Sequence, residues 1–213
     1  MSNKELLNKI LLNTDIYCIS AEKYSRGRSN IEVVREMLAA DIKLIQYREK
    51  EKTMKDMYQE CLEIREMTRE SGAIFLINDY IDLAQAIDAD GVHLGQDDMP
   101  IEVARSILGE EKIIGLSTHS PEQAREALKK EVDYIGVGPI FKTNTKVCPA
   151  VGLEYLEYVV DNIDLPFVAI GGIKEDNISS VRRKGATCIC LVTEIVGAEN
   201  IQEKINSIRN QIN

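Results

Sequence analysis

Gln46, Arg48 and Lys50 stand two residues apart, the spacing that places side chains on one face of a strand. An amide followed by two cations suits a ligand that is heteroaromatic at one end and anionic at the other. The competing reading is a solvated loop in which Arg48 and Lys50 pair with Glu49 and Glu51. Asp79 and Asp98 each close a separate apolar stretch, after Leu76-Ile77-Asn78 and after Val92-His93-Leu94-Gly95. If the fold brings them together, two carboxylates repel and require a cation. Arg48 and Lys50 can supply it, or a hard divalent ion can. Magnesium fits the second case, because it takes one or two carboxylates and completes its shell with water and ligand phosphate. Asp97 and Asp98 also precede Pro100, a residue at home in the first turn of a helix. Asp97 can cap that helix, which leaves Asp98 as the metal ligand.

Further along, Thr143, Thr145 and Lys146 sit in a polar stretch bounded by Gly138-Pro139 and Gly152. The stretch reads as an anion-binding lid or as an ordinary polar loop. Gly171-Gly172 permits close approach of backbone to a ligand, and Thr193 adds a hydroxyl. No Ser-His-Asp order and no H-E-x-x-H zinc pattern occurs, so nucleophilic and zinc-hydrolase chemistry find no support. His93 and His119 are too few for a histidine metal cluster. His93 is expected in a wall of the fold, and His119 in a loop that it orients.

These residues need a scaffold, and the hydrophobic pattern supplies one. Short β-branched runs at 16–20, 44–48, 74–78, 91–94, 113–117, 134–138, 167–171 and 187–193 alternate with helical patterns. The helices are expected at 32–40, 53–70, 82–87, 101–108, 121–129, 153–161, 176–184 and 201–212, with one more at the N-terminus. Asn30, Thr53 and Ser120 are the expected N-caps, and Gly72 and Gly185 the left-handed residues that end helices. Strict alternation implies parallel strands, and Phe167-Val168-Ala169-Ile170 is apolar on both faces, as buried parallel strands are. Eight units in 213 residues give about 27 residues each, near the minimum for a (β/α)8 TIM barrel. An open doubly wound sheet is the rival, but no G-x-G-x-x-G follows the first strand. In a barrel, active-site residues occupy the C-terminal strand ends, where Gln46, Arg48, Asn78, Asp79, Asp98, Ser117, Gly172 and Thr193 all fall.

Composition fits one α/β domain spanning 1–213: 44% of residues are hydrophobic and 29% charged. The net charge of −9 argues against nucleic acid and anionic membranes as partners. No stretch reaches the roughly 18 apolar residues of a membrane helix, and the N-terminus lacks a signal-peptide pattern, so a cytoplasmic location is expected. The five cysteines show no C-x-x-C and read as buried thiols of a reducing compartment.

The motifs as an ordered set resemble the thiamine phosphate synthase family. They are Ile45-Gln46-Tyr47-Arg48-Glu49-Lys50, Leu76-Ile77-Asn78-Asp79, Asp90-Gly91-Val92-His93-Leu94-Gly95-Gln96-Asp97-Asp98, Gly115-Leu116-Ser117-Thr118-His119-Ser120, Asp133 through Phe141, Val151-Gly152-Leu153-Glu154 and Ala169-Ile170-Gly171-Gly172-Ile173. The resemblance implies an alkyl transferase that joins a 4-amino-2-methylpyrimidine methyl diphosphate to a thiazole phosphate, releasing diphosphate through a pyrimidinyl cation. It implies that Gln46 reads the pyrimidine and that Arg48, Lys50, Asn78 and Lys146 hold the diphosphate. Asp79 and Asp98 would bind Mg²⁺, and Ser117 would lie near the diphosphate. Thr143, Thr145, the Gly172 backbone and Thr193 would face the thiazole phosphate. Arg48, Lys50, Ser117 and Lys146 would carry the catalysis, with small phosphorylated substrates as partners and the oligomeric state, a homo-oligomer included, left open. Two departures stand out: Thr193-Glu194 where the family usually has serine, and a short stretch from Lys146 to Val151 without a lysine-aspartate pair. A thiazole tautomerase relative would share the barrel but lack Asp79, Asp98, Arg48 and Lys50 as a set. A noncatalytic sensor of a thiamine precursor is the rival from another class.

Overall fold

A computed structural model describes residues 2–13, 15–145 and 148–212. Among these residues eight parallel strands close into a barrel in sequence order, β1 pairing with both β2 and β8. The strands are β1 (Asp15–Ile19), β2 (Leu44–Tyr47), β3 (Ile74–Asn78), β4 (Gly91–Leu94), β5 (Ile113–Thr118), β6 (Tyr134–Val137), β7 (Phe167–Ile170) and β8 (Cys188–Leu191). The helices are α1 (Asn3–Leu12), α2 (Asn30–Ala39), α3 (Met54–Glu70), α4 (Ile81–Ala86), α5 (Ile101–Leu108), α6 (Pro121–Ala127), α7 (Gly152–Asn162), α8 (Ile178–Arg183), α9 (Thr193–Val196) and α10 (Ile201–Ile212). The expected TIM barrel with an extra N-terminal helix is therefore observed. No helix among the described residues is long and apolar enough to cross a membrane.

Period-two alternation along the strands divides the core. Tyr17, Ile19, Leu44, Leu76, Tyr134, Val168, Cys188 and Cys190 face the barrel interior, where Leu7, Ile10 and Leu11 of α1 plug one end. Their neighbours Ile16, Cys18, Ile45, Phe75, Ile77, Val92, Ile135 and Ile189 face the helices. The plug is fixed by Asp90, just before β4, which accepts hydrogen bonds from the two terminal guanidinium nitrogens of Arg65 at 2.8 Å, from the Phe75 amide and from the side chain of Asn3 on α1. That pair is nearly fully buried and closes the end opposite the functional one. Cys18, Cys61, Cys188 and Cys190 are buried as expected, whereas Cys148 is only partly buried.

Local signals account for most boundaries, with instructive exceptions. Ser2 and Ser29 form capping boxes with Glu5 and Glu32, so the α2 cap is Ser29 and not Asn30. Thr53 and Ser120 cap α3 and α6 as expected. Gly72 and Gly185 take positive φ after their helices. Neither Asp97 nor Asp98 caps α5, whose N-cap is Pro100 without a side-chain bond. Instead Asp98 turns back to accept the Gly95 amide at 2.7 Å. Strand β8 ends at Leu191, two residues short of the expected limit, and Thr193 opens the short helix α9.

Candidate active site

A cavity of about 360 Å³ opens at the C-terminal ends of the strands, a volume suited to a small ligand. Gln46, Arg48, Lys50, Asn78, Asp79, Asp98, Ser117 and Thr145 all line it. Gln46, 1% exposed, is the last inward residue of β2 and forms part of the floor. The strand stops at Tyr47, so Arg48 and Lys50 are held by a turn and not by strand period. The Arg48 amide donates to Ser20 Oγ at 3.1 Å, and Glu49 Oε1 accepts the amides of Lys50 (2.8 Å) and Glu51 (3.3 Å). Glu49 is in turn held by buried Asn30. The loop reading that paired Arg48 and Lys50 with Glu49 and Glu51 is not what forms. Lys50 pairs with Asp79, and Glu51 pairs with Lys23.

Asp79 leaves β3 with φ +64°, a left-handed conformation that costs a non-glycine residue about 1–2 kcal/mol. Its amide is anchored on the His93 carbonyl at 3.0 Å, which turns the carboxylate over the cavity. Burial pushes the Asp79 carboxyl up, the hydrogen bond from Lys50 pulls it down, and the adjoining Asp98 carboxyl pushes it up again. Two acids and one lysine thus share one edge of the rim, and on balance the Asp79 carboxyl is raised above its usual range. On the neighbouring edge the Gln96 side chain donates to the Ser117 carbonyl at 2.6 Å, tying the loop after β4 to the end of β5.

The loop after β6 is laced to β7. Ile140 and Phe141 donate their amides to the carbonyls of Ile170 and Gly171, each at 2.9 Å. A Cβ on Gly172 would stand 2.6 Å from the Lys142 carbonyl oxygen, so only glycine fits where these two backbones cross. Thr143 and Thr145 hydroxyls lie 2.9 Å apart. Thr145 reaches the cavity, while Thr143, Gly172 and exposed Thr193 stand outside its lining. Lys146 lies outside the described residues. Gly152, which bounds the polar stretch in the sequence, is the first residue of α7. His119 bonds the Gly138 carbonyl through Nδ1, fixing the loop after β5 as anticipated.

Sequence reasoning missed the cavity floor. Tyr17, Tyr134 and His93 form a polar chain from Gln46 to Ser117, with Tyr17 and Tyr134 rings edge-on at 71°. Their room is made by Gly115 and Gly136: a Cβ on Gly115 would lie 2.3 Å from the Tyr134 ring and 2.5 Å from His93. Two glycines in adjacent strands beside inward tyrosines were the available signal. Burial drives the Cys190 thiol upward, so it is an inert part of the floor.

A family model described as thiamine monophosphate synthase matches residues 16–195. The chain belongs to the thiamine monophosphate synthase family. It is 65% identical over 201 residues to the thiamine-phosphate synthase of Pelotomaculum thermopropionicum, an alignment covering 93% of this chain and 92% of that one. To the thiamine-phosphate synthase of Dictyoglomus turgidum it is 51% identical over 210 residues, covering 98% and 94%. Among solved structures, thiamine phosphate pyrophosphorylase from Pyrococcus furiosus superposes with a TM-score of 0.87 at 38% identity, covering 97% of each chain. A geranylgeranylglyceryl phosphate synthase from Thermoplasma acidophilum shares the fold, with a TM-score of 0.71 at 14% identity. As a member of the thiamine monophosphate synthase family, the chain is a transferase of thiamine biosynthesis with thiamine-phosphate synthase activity.

Proposed function

We propose that this cavity couples 4-amino-2-methyl-5-(diphosphooxymethyl)pyrimidine with thiazole phosphate, giving thiamine phosphate and diphosphate. The observation that carries the reading is the cavity's polarity, with an amide floor at Gln46 and a rim where Arg48, Lys50, Asn78, Asp79 and Asp98 converge. Gln46 would read the pyrimidine edge. Arg48, Lys50, Asn78 and Ser117 would hold the diphosphate, together with Lys146 of the lid. Thr143, Thr145, the Gly172 backbone and Thr193 are proposed for the thiazole phosphate.

The route is dissociative. The methylene–oxygen bond breaks with its electron pair going to diphosphate, and the resulting pyrimidinyl methyl cation is stabilised by its own amino group. The thiazole nitrogen then donates its lone pair to the methylene carbon. No protein nucleophile is needed. Arg48 and Lys50 offset the charge that develops on the leaving group, and a preorganised donor of this kind is typically worth about 3–4 kcal/mol. Thr145 and the lid exclude water from the cation.

The donor set at the rim suits Mg²⁺. Lys50 pairs with Asp79, and Asp98 adjoins Asp79, so this edge holds two carboxyl groups to one lysine. Among the described residues no cluster of three or more acids, histidines or cysteines forms a metal cage, and magnesium uses one or two carboxylates with ligand phosphates instead. When bound, Mg²⁺ would act as a Lewis acid on the diphosphate oxygens. The test is incubation with both substrates and Mg²⁺, followed by mass detection of thiamine phosphate. Isomerisation of a thiazole phosphate without coupling would support the tautomerase reading. Thermal stabilisation by thiazole phosphate with no product would support a sensor.

A further inference from the structure

Five side chains link the amide on the cavity floor to the hydroxyl at its rim. Gln46 Nε2 donates to the Tyr17 hydroxyl at 2.6 Å, and Tyr17 and Tyr134 hydroxyls lie 3.1 Å apart. The Tyr134 hydroxyl is 2.8 Å from His93 Nδ1, and His93 Nε2 is 2.9 Å from Ser117 Oγ. Burial pushes both phenols well above their usual range, so each keeps its single hydrogen.

That single hydrogen gives the chain a direction. Tyr17 accepts from Gln46, so its own hydrogen goes to Tyr134. Tyr134 then donates to His93 Nδ1. A neutral imidazole that accepts at Nδ1 carries its proton on Nε2 and donates it to Ser117. Ser117 is thereby satisfied as an acceptor, and its O–H is left for the cavity. With the Gln46 amide turned over, Oε1 would accept from Tyr17 and every later bond would reverse. The Ser117 hydrogen would then be used on His93, and only a lone pair would face the ligand.

We infer that this relay couples recognition of the two ends of the ligand: the amide orientation chosen at the ring edge decides whether Ser117 offers a hydrogen or a lone pair to the anionic end. The inference rests on the functional reading above and extends it. A ring edge with an amino group beside a ring nitrogen matches Gln46 presenting Oε1 and its second N–H, the orientation seen here. In that state Ser117 donates to a diphosphate oxygen. An oxo ring edge demands the opposite amide and forfeits the Ser117 donor, so discrimination against it exceeds what contacts at the ring alone provide. Tyr17, Tyr134 and His93 are positioning residues in this scheme.

Two measurements test it. Nitrogen-15 NMR of the ligand-free protein, which has two histidines, should show His93 as the neutral Nε2–H tautomer with Nδ1 accepting. An Nδ1–H tautomer or an imidazolium at neutral pH overturns the inference. Binding of the 4-amino pyrimidine methyl diphosphate and its 4-oxo counterpart is then compared in wild type, Ser117→Ala, Tyr17→Phe and the double variant. Ser117→Ala should weaken the amino ligand about tenfold, the scale of a hydrogen bond to a charged group, and leave the oxo ligand nearly unchanged. In the Tyr17→Phe background the two losses should become equal. Equal losses already in the wild type would refute the relay while leaving the functional reading intact. Failure of both diphosphates to bind would refute that reading, and the tautomer would still decide the relay.

Discussion

Replacing Gly115 by alanine tests whether the floor geometry governs the chemistry. The added Cβ would lie 2.3 Å from Tyr134 Cζ and 2.5 Å from His93 Nδ1, where ordinary contact begins at 3.4 Å. The rings must retreat by about 1 Å, and the 2.8 and 2.9 Å bonds of His93 cannot stretch that far and persist. Overpacking of this kind costs about 1–3 kcal/mol, which lowers the melting temperature of a chain this size by roughly 2–12 °C. Displacing Ser117 and its neighbours by about 1 Å should reduce turnover by up to about a hundredfold. Gly136→Ala, whose Cβ would meet His93 at 3.3 Å, should be milder in both respects. Gly109→Ala faces open space but sits at φ +77°, ψ 177°, a region nearly restricted to glycine, and should lose about 1–3 kcal/mol from backbone strain alone, with turnover unchanged. Thermal melts and steady-state synthesis of thiamine phosphate read both effects. Unaltered melting and turnover in Gly115→Ala would refute the argument.

Asp98→Ala should lower turnover and its magnesium dependence while the melting curve stays close to wild type, and full activity in chelator would contradict the metal assignment. Asp90→Ala strands the buried Arg65 charge at the far end of the barrel. It should cost about 3–5 kcal/mol in denaturant titrations with little change in turnover of the folded fraction. Burial alone would raise Glu49, but the amides of Lys50 and Glu51 and the side chain of Asn30 hold its carboxyl below the usual range. Its contribution is therefore present above the unfolded value of about 4.3 and is lost as pH falls through the lower folded value. Glu49→Gln should flatten that acid limb in pH-dependent unfolding, and an unchanged limb would count against the role given to Glu49.

The barrel was legible because a period of two within strands and of 3.6 between them leaves few other arrangements for eight short apolar runs. The rim was legible for a related reason: strand ends are predictable, so Asp79, Asp98 and Ser117 could be placed together before any contact was known. The floor was not. Tyr17 and Tyr134 read as apolar strand residues, and their meeting across the barrel depends on strand stagger, which local pattern does not encode. Asp97 does not cap the following helix, because Pro100 itself stands at the N-cap of α5 without a side-chain bond, while the Asp98 side chain folds back onto Gly95. Thr193 was read as a strand end because Val192-Thr193 is β-branched, whereas Gly197 closes a short helical turn onto the Thr193 carbonyl.

The central claim is that the cavity joins two phosphorylated heterocycles by neutralising a departing diphosphate. Its most direct test is a single-turnover experiment with enzyme in excess over the pyrimidine diphosphate, in the presence of thiazole phosphate and Mg²⁺. Thiamine phosphate and diphosphate should appear in equal amounts with one time course. Release of diphosphate without thiamine phosphate, or no release at all, would contradict the account.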